Sequence, residues 1–366
     1  MGPDIYPAKQ IPGEKKSMLP LRNRIWPHFF WAAMLACAGL IGCKSAVVDK
    51  REYAWVCAPE AILRDRVAAV YNKTGIVHNG DRIQVLERMP RKAFVRVSTS
   101  QGNEGWVEQR FLAGQKTYDQ LQQLAEQYKT APTLISAFAR DELKMHATPG
   151  KKTEYLHFLA EKQKVDLLER QIVDRNGGPM RKEGPHGEEE EENPGAKPAP
   201  PPVLEDWWLV RDSQKRVGWV LGRMLDVDVP IDVAQYAEGQ RIVGFFKLDE
   251  AVDKNQKVSE YLTLLTENKD GLPYDFDQVR VFTWNLRAHR YETAFRQHNL
   301  FGVLPVVLGT EDFAGEGALR TFTLQLKDAD GTVRERKFKF KSPRVQRALA
   351  PGEEPPATSH TKRHRR

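Results

Sequence analysis

The chain has 366 residues, enough for two or three domains, with 40% hydrophobic and 29% charged residues. Its formal charge of +7 divides unevenly: residues 1–42 contribute +3 and Lys362, Arg363, Arg365 and Arg366 contribute +4, which leaves the body near neutrality. That distribution argues against a nucleic-acid groove, which needs a clustered basic face, and three cysteines are too few for a disulfide framework.

Residues 25–42 (IWPHFFWAAMLACAGLIG) are apolar apart from His28 and follow Lys15, Lys16, Arg22 and Arg24, the layout of an export signal. The run is marginal as a membrane span and contains Pro27. It closes on Leu40-Ile41-Gly42-Cys43, which resembles the lipobox of bacterial lipoproteins, with Met18 as an alternative start of more usual signal length. The resemblance implies cleavage before Cys43, fatty acylation of that cysteine (palmitate-type chains) and a membrane partner reached through the lipid. Cys37 in Leu35-Ala36-Cys37 fits the same pattern less well, because the apolar run continues past it. Lys44, standing where an aspartate would favour the inner membrane, points to the periplasmic face of the outer membrane. Residues 43–51 then read as a tether. Cys57, the thiol left in the folded region, reads as a small buried apolar side chain.

A repeat follows. The first copy holds Gly80–Arg88 (GDRIQVLER), Phe94-Val95-Arg96-Val97 and Gly105–Leu112 (GWVEQRFL). The second holds Lys162–Arg170 (KQKVDLLER), Trp207-Trp208-Leu209-Val210 and Gly218–Leu225 (GWVLGRML). Both alternate apolar and polar residues over short runs bounded by turns, the period of half-buried strands. Ile62–Asp65 and Leu143–His146 precede these runs as leading strands. The order of these pieces resembles bacterial SH3 domains, over residues 52–114 and 141–226. Phe94 departs from the tryptophan usual in that family, and the first copy lacks its glycine-proline. The resemblance implies two SH3-like β-barrels without catalytic machinery of their own. In such barrels, aromatic grooves accept extended peptides. Tyr71, Phe94, Trp106 and Phe111 are the groove candidates in the first copy; Tyr155, Trp207, Trp208 and Trp219 are those in the second. Trp207 and Trp208 are neighbours on a strand and face opposite sides, so one is expected in the core and the other outside.

Between the copies, Leu121, Leu124, Ala125 and Tyr128 fall at helical intervals and Pro132 stops the pattern, giving a helical linker over 115–140. Residues 174–202 are rich in glycine, proline and charge, including Glu188–Glu192, and predict a disordered insertion in the second copy. Residues 231–342 predict a C-terminal antiparallel β domain, a sandwich or a blade-like sheet, with Asp328–Gly331 as a hairpin turn and Tyr261–Glu267 as a short helix. Val281–Asn285 through Tyr291–Ala294 resemble a segment that follows SH3 repeats in envelope proteins. Residues 343–366 read as a disordered basic tail.

The fold expected is therefore mainly β. No nucleotide loop, Ser-His-Asp signature or zinc spacing occurs in the sequence. Asp275, Asp277 and His289, with His298 downstream, could in principle hold a divalent ion and supply a base, the layout of a metal-dependent cell-wall hydrolase. The turn signal Gly271-Leu272-Pro273 before them explains the aspartates without chemistry. The expectation is a lipid-anchored envelope protein that binds peptidoglycan peptides or a partner protein, with no enzyme activity and no cofactor. The alternative is a purely structural subunit of an envelope assembly.

Overall fold

A computed structural model describes residues 51–67, 72–175 and 201–349. Cys43, Tyr71, the export segment, most of the insertion and most of the tail lie outside the described residues.

The first repeat is one antiparallel sheet of seven strands: β1 (Glu52–Val56), β2 (Glu60–Arg64), β3 (Lys73–His78), β4 (Arg82–Met89), β5 (Phe94–Ser98), β6 (Glu104–Glu108) and β7 (Leu112–Gly114). They lie in the order β3-β2-β6-β5-β4-β1-β7. A 3-10 turn, Gln109–Phe111, leads into β7. One core draws on β1 to β6, through Val56, Leu63, Val77, Ile83, Val95 and Val107 among others. A sheet whose strands all feed one core is curled on itself.

The second repeat contains β8 (Ile135–Ala139), β9 (Leu143–His146), β10 (Tyr155–Leu159), β11 (Lys164–Asp174), β12 (Leu204–Asp212), β13 (Val217–Leu221) and β14 (Leu225–Asp226). Its order, β10-β9-β13-β12-β11-β8-β14, is that of the first repeat strand for strand. Even the irregularities recur. Leu86 on β4 and Leu168 on β11 are extra residues in their ladders, between Val85 and Glu87 and between Leu167 and Glu169. They are β-bulges of the kind that re-aim a strand. Gly105 and Gly218 stand where β6 and β13 cross the leading strand. A Cβ on Gly105 would meet Leu63 Cβ at 2.8 Å, and one on Gly218 would meet Met145 Cβ at 2.9 Å. Only glycine allows that approach, which accounts for the first letter of both Gly-Trp-Val motifs.

Between the sheets runs α1 (Gln115–Gln127). The expected linker is thus shorter than 115–140, because Ile135–Ala139 pairs with β11 and β14 as a full member of the second sheet. Leu121 sits in a cluster with Trp55, Cys57 and Ala113 of the first repeat and Ala147 and Leu156 of the second. Tyr118 stacks on Trp55 with ring centroids 4.2 Å apart. Asn79 donates hydrogen bonds to the carbonyls of Val56 (3.1 Å) and Leu156 (2.6 Å), tying the two repeats together directly.

The C-terminal region begins with the short helix α2 (Ile231–Ala234). Two four-stranded antiparallel sheets follow: β15 (Arg241–Asp253), β16 (Gln256–Thr266), β17 (Gln278–Asn285) and β18 (Arg290–Gln297), then β19 (Gly302–Phe313), β20 (Gly317–Lys327), β21 (Val333–Lys341) and β22 (Arg344–Arg347). Leu262, Leu264, Val279 and Val281 of one sheet share a core with Phe322, Leu324, Phe338 and Phe340 of the other, so the region is a sandwich. Tyr261–Thr266 belong to β16 rather than to a helix: Leu262 and Leu264 point into this core at the strand period of two. The tail begins later than expected, since β22 pairs with β21 from Arg344 to Arg347.

Candidate binding face

On both repeats, residues of the fourth, fifth and sixth strands that miss the main core form an outer face. In the second repeat Val210 and Val220 point inwards, and Leu168, Trp207, Leu209, Val217 and Trp219 form a separate buried cluster outside. Leu124, Ala125 and Tyr128 of the α1 segment cover that cluster. Arg211 fixes the end of the helix by donating to the carbonyls of Tyr128 and Ala131, both at 3.1 Å. Tyr128 donates its hydroxyl proton to Glu169, and this bond pushes the phenol pKa up to about 12. His146 packs edge-on against Trp207 at 5.2 Å between centroids, and burial lowers its pKa below the usual histidine value.

Strand register gives the counterparts in the first repeat. Trp106 pairs with Arg96 on one side and Arg64 on the other, as Trp219 pairs with Leu209 and His146. The five outer positions Leu168, Trp207, Leu209, Val217 and Trp219 therefore correspond to Leu86, Phe94, Arg96, Glu104 and Trp106. Here the α1 segment meets the repeat elsewhere, at Tyr53, Trp55 and Ala113. Leu86 is 40% exposed, and Phe94 and Trp106 are half-buried. Arg96 and Glu104 bridge each other across the face at 2.8 Å. The result is an aromatic surface with an ion pair in its middle.

The candidate aromatic residues thus separate into distinct settings. Trp207 and Trp219, at 2% and 6% exposure, are packing residues beneath α1 and present no groove to a ligand. Trp208 is not exposed on the opposite side, as alternation predicts; it is half-buried against the second core. It also lines a cavity of about 50 Å³ with Arg170, Arg241 and Leu272, room for a few waters rather than a peptide. Tyr155 belongs to the junction of the two repeats and lies under the Lys144 ammonium at 4.1 Å. Phe111 packs against the first core with the Arg110 guanidinium over its ring at 4.8 Å. Among the described residues, Phe94 and Trp106 remain as the half-buried pair on a face that α1 does not cover.

The residues considered for metal chemistry are not brought together. Asp275 accepts from the Leu304 backbone N–H at 2.8 Å and pairs with Arg170 at 3.0 Å, so both its oxygens are engaged. His289 lies beyond the far end of β17, where its Nδ1 meets Asp253 at 2.5 Å. The length of that strand separates it from Asp277 by roughly 20 Å or more. Among the described residues, no group of three His, Cys, Asp or Glu could hold a metal ion.

Arg170 was not singled out by sequence reasoning. Its side chain is 13% exposed and donates to Asp206 Oδ1 (2.8 Å), Asp275 Oδ1 (3.0 Å) and the carbonyls of Leu272 (2.9 Å) and Tyr274 (2.8 Å). It fastens the second repeat to the loop before β17. Its place at the end of Leu-Leu-Glu-Arg, matched by Arg88 in Val-Leu-Glu-Arg, was the available signal.

No protein-family model matches the chain, and no curated protein matches it. Among solved structures, NlpC2 from Trichomonas vaginalis aligns over 81% of this chain and 96% of its own at 11% identity and a TM-score of 0.16. NlpC1 from the same organism aligns over 81% and 91% at 9% identity and a TM-score of 0.16. Similarity at that level carries no functional weight.

Proposed function

We infer that the chain is a lipid-anchored binding or scaffold protein of the bacterial cell envelope. In this reading its two repeats are SH3-like barrels, and the first presents Phe94 and Trp106 to a peptidoglycan peptide or an envelope protein. The observation that carries the reading is the open aromatic face of the first repeat, set beside the same face closed by α1 in the second. Aromatic side chains left half-exposed on a rigid strand pair are the usual anchors of a recognition surface. The Leu40-Ile41-Gly42-Cys43 motif supports the anchor. A triacylated cysteine buries enough methylenes for durable attachment. No helix among the described residues is long and apolar enough to cross a membrane.

Anchoring confines the first repeat near the membrane and raises its local concentration against wall-bound or membrane-bound targets. The test has two arms. Metabolic labelling with an alkyne fatty acid should mark the wild type and not Cys43→Ala; an unlabelled wild type would remove the envelope assignment. In a sedimentation assay with purified murein and with envelope extract, Trp106→Ala should weaken retention while Trp208→Ala, a packing change, should act only through stability. Equal retention of wild type and a folded Trp106→Ala would remove the binding face.

A further inference from the structure

We propose that the Trp106 face of the first repeat docks an acidic amphipathic helix of a partner protein, in the manner in which α1 docks on the Trp219 face of the second. This rests on the reading of the first repeat as a binding module and goes further by naming the shape and charge of the ligand.

The duplication itself supplies the first reason. The two faces lie on strands of identical order with a bulge at the same place, so they share curvature. The second face is seated by helical residues spaced four apart, Leu124 and Tyr128, with Ala125 between them. Leu86, Phe94 and Trp106 keep the apolar positions of that seat. Leu209 and Val217 are replaced by Arg96 and Glu104, so the first face is soluble when empty yet can close on a helix that offers polar partners at its centre. An extended peptide would need a free strand edge or a groove between loops. Here β5 and β6 are interior strands, paired on both sides, and offer no edge.

Charge supplies the second reason. The first repeat, residues 51–114, carries ten basic residues against seven acidic ones. Arg64 and Arg96 flank Trp106 in register, and Arg91, Lys92 and Arg110 lie in the turns that lead into β5 and out of β6; Glu104 and Glu108 pair with Arg96 and Arg110, which leaves these residues together net positive. Such a rim selects a helix whose polar face is acidic. The α1 helix is of that kind, with Asp119 and Glu126 against Lys116.

A fluorescein-labelled peptide of residues 115–128, lactam-locked as a helix, is therefore a usable probe against the full-length chain in mild detergent. Anisotropy should report saturable binding that Trp106→Ala weakens by about tenfold or more. Converting the face to that of the second repeat, with Arg96→Leu and Glu104→Val together, should tighten it by about the same factor. The same peptide broken by Gln123→Pro should bind far more weakly. The proposal is overturned if the locked helix does not bind, if the broken peptide binds as well, or if Trp106→Ala leaves binding unchanged. A murein stem tripeptide that binds at Trp106 when the helix does not would sink the helix assignment and leave the envelope-binding reading standing.

Discussion

The outer face of the first repeat carries Arg96 and Glu104 among Leu86, Phe94 and Trp106; the second carries Leu209 and Val217 among Leu168, Trp207 and Trp219. Two apolar substitutions turn a solvated face into one that must be covered, and α1 covers it. The same contrast appears on the next strand. Arg88 and Arg170 hold the same place in the repeat, opposite Val95 and Trp208. Arg88 forms an exposed ion pair with Glu52, whereas Arg170 is buried among two carboxylates and two carbonyls. The duplicated strand plan thus fixes shape. A few outward side chains decide whether each copy is wedged into the body of the protein or left free to meet something else. Among the described residues, the second repeat is held on two sides and the outer face of the first is left uncovered.

That contrast can be broken by paired substitutions. Trp219→Ala removes a buried indole from the cluster under α1 and should cost about 3–5 kcal/mol of stability. Trp106→Ala should cost about 1 kcal/mol or less, as surface truncations do. Urea unfolding of both variants checks this, and equal losses would mean that the first face is covered after all. Arg170→Ala should cost about 3 kcal/mol, because Asp206 and Asp275 are left buried without their cation. Arg88→Ala should fall within about 1 kcal/mol of wild type, the usual worth of an exposed pair. A large effect at Arg88 would show that position in the repeat, rather than burial, sets the role of the arginine.

Much of this was legible from alternation and recurrence. The period-two runs predict mainly antiparallel strands, and the shared Leu-Glu-Arg and Gly-Trp-Val pieces predict that two regions fold alike. The spacing of Leu121, Leu124, Ala125 and Tyr128 predicts the helix between them. Local pattern could not assign the outer faces. Trp106 and Trp219 sit in the same tripeptide, and only the position of α1 separates a half-exposed indole from a buried one. Trp207 and Trp208 misled for a related reason: alternation puts them on opposite sides of β12, but both sides turn out to be occupied, one by α1 and the other by the core. Tyr261–Glu267 reads as a short helix in the sequence, but pairing with β15 and β17 makes Tyr261–Thr266 part of a central strand.

A change of pH should separate the repeats further. His157 on β10 is pushed down to about 4, first by burial and then by the nearby Arg216, with Asp212 opposing. Burial also lowers His146. The register of the first repeat has Gly75 and Arg64 at these places, so it has no buried histidine there. A histidine held neutral in the fold contributes stability that is complete above its unfolded pKa of about 6.5 and is lost as the pH falls towards the folded value. The second repeat should therefore lose about 2 kcal/mol between neutral pH and pH ~4.5, while the first changes little. Hydrogen exchange of strands β9 and β10 against β2 and β3 over this range reads the difference. His157→Phe should flatten the slope, and an unchanged slope in that variant would point to another titrating group.

The smallest contrast is expected where the repeats are most alike. Gly105 and Gly218 both lie against the leading strand, and an added methyl would press on Leu63 and Thr74 in one copy and on Met145 in the other. Neither site has a helix or a binding face to distinguish it, because the contact is internal to each curled sheet. Gly105→Ala and Gly218→Ala should each destabilise by roughly 1–2 kcal/mol, with no difference between them beyond the softness of the neighbouring side chains. At residue 105 the methyl would meet Thr74 Oγ1 at 2.5 Å as well as Leu63 Cβ at 2.8 Å, against Met145 Cβ at 2.9 Å at residue 218, which places the slightly larger loss in the first repeat. Matching melting shifts would show that the divergence of the two copies is confined to their outward residues. A much larger loss at Gly218 would mean instead that strain inside the second repeat passes to α1 and the sandwich fastened to it, and that the two interiors are no longer equivalent.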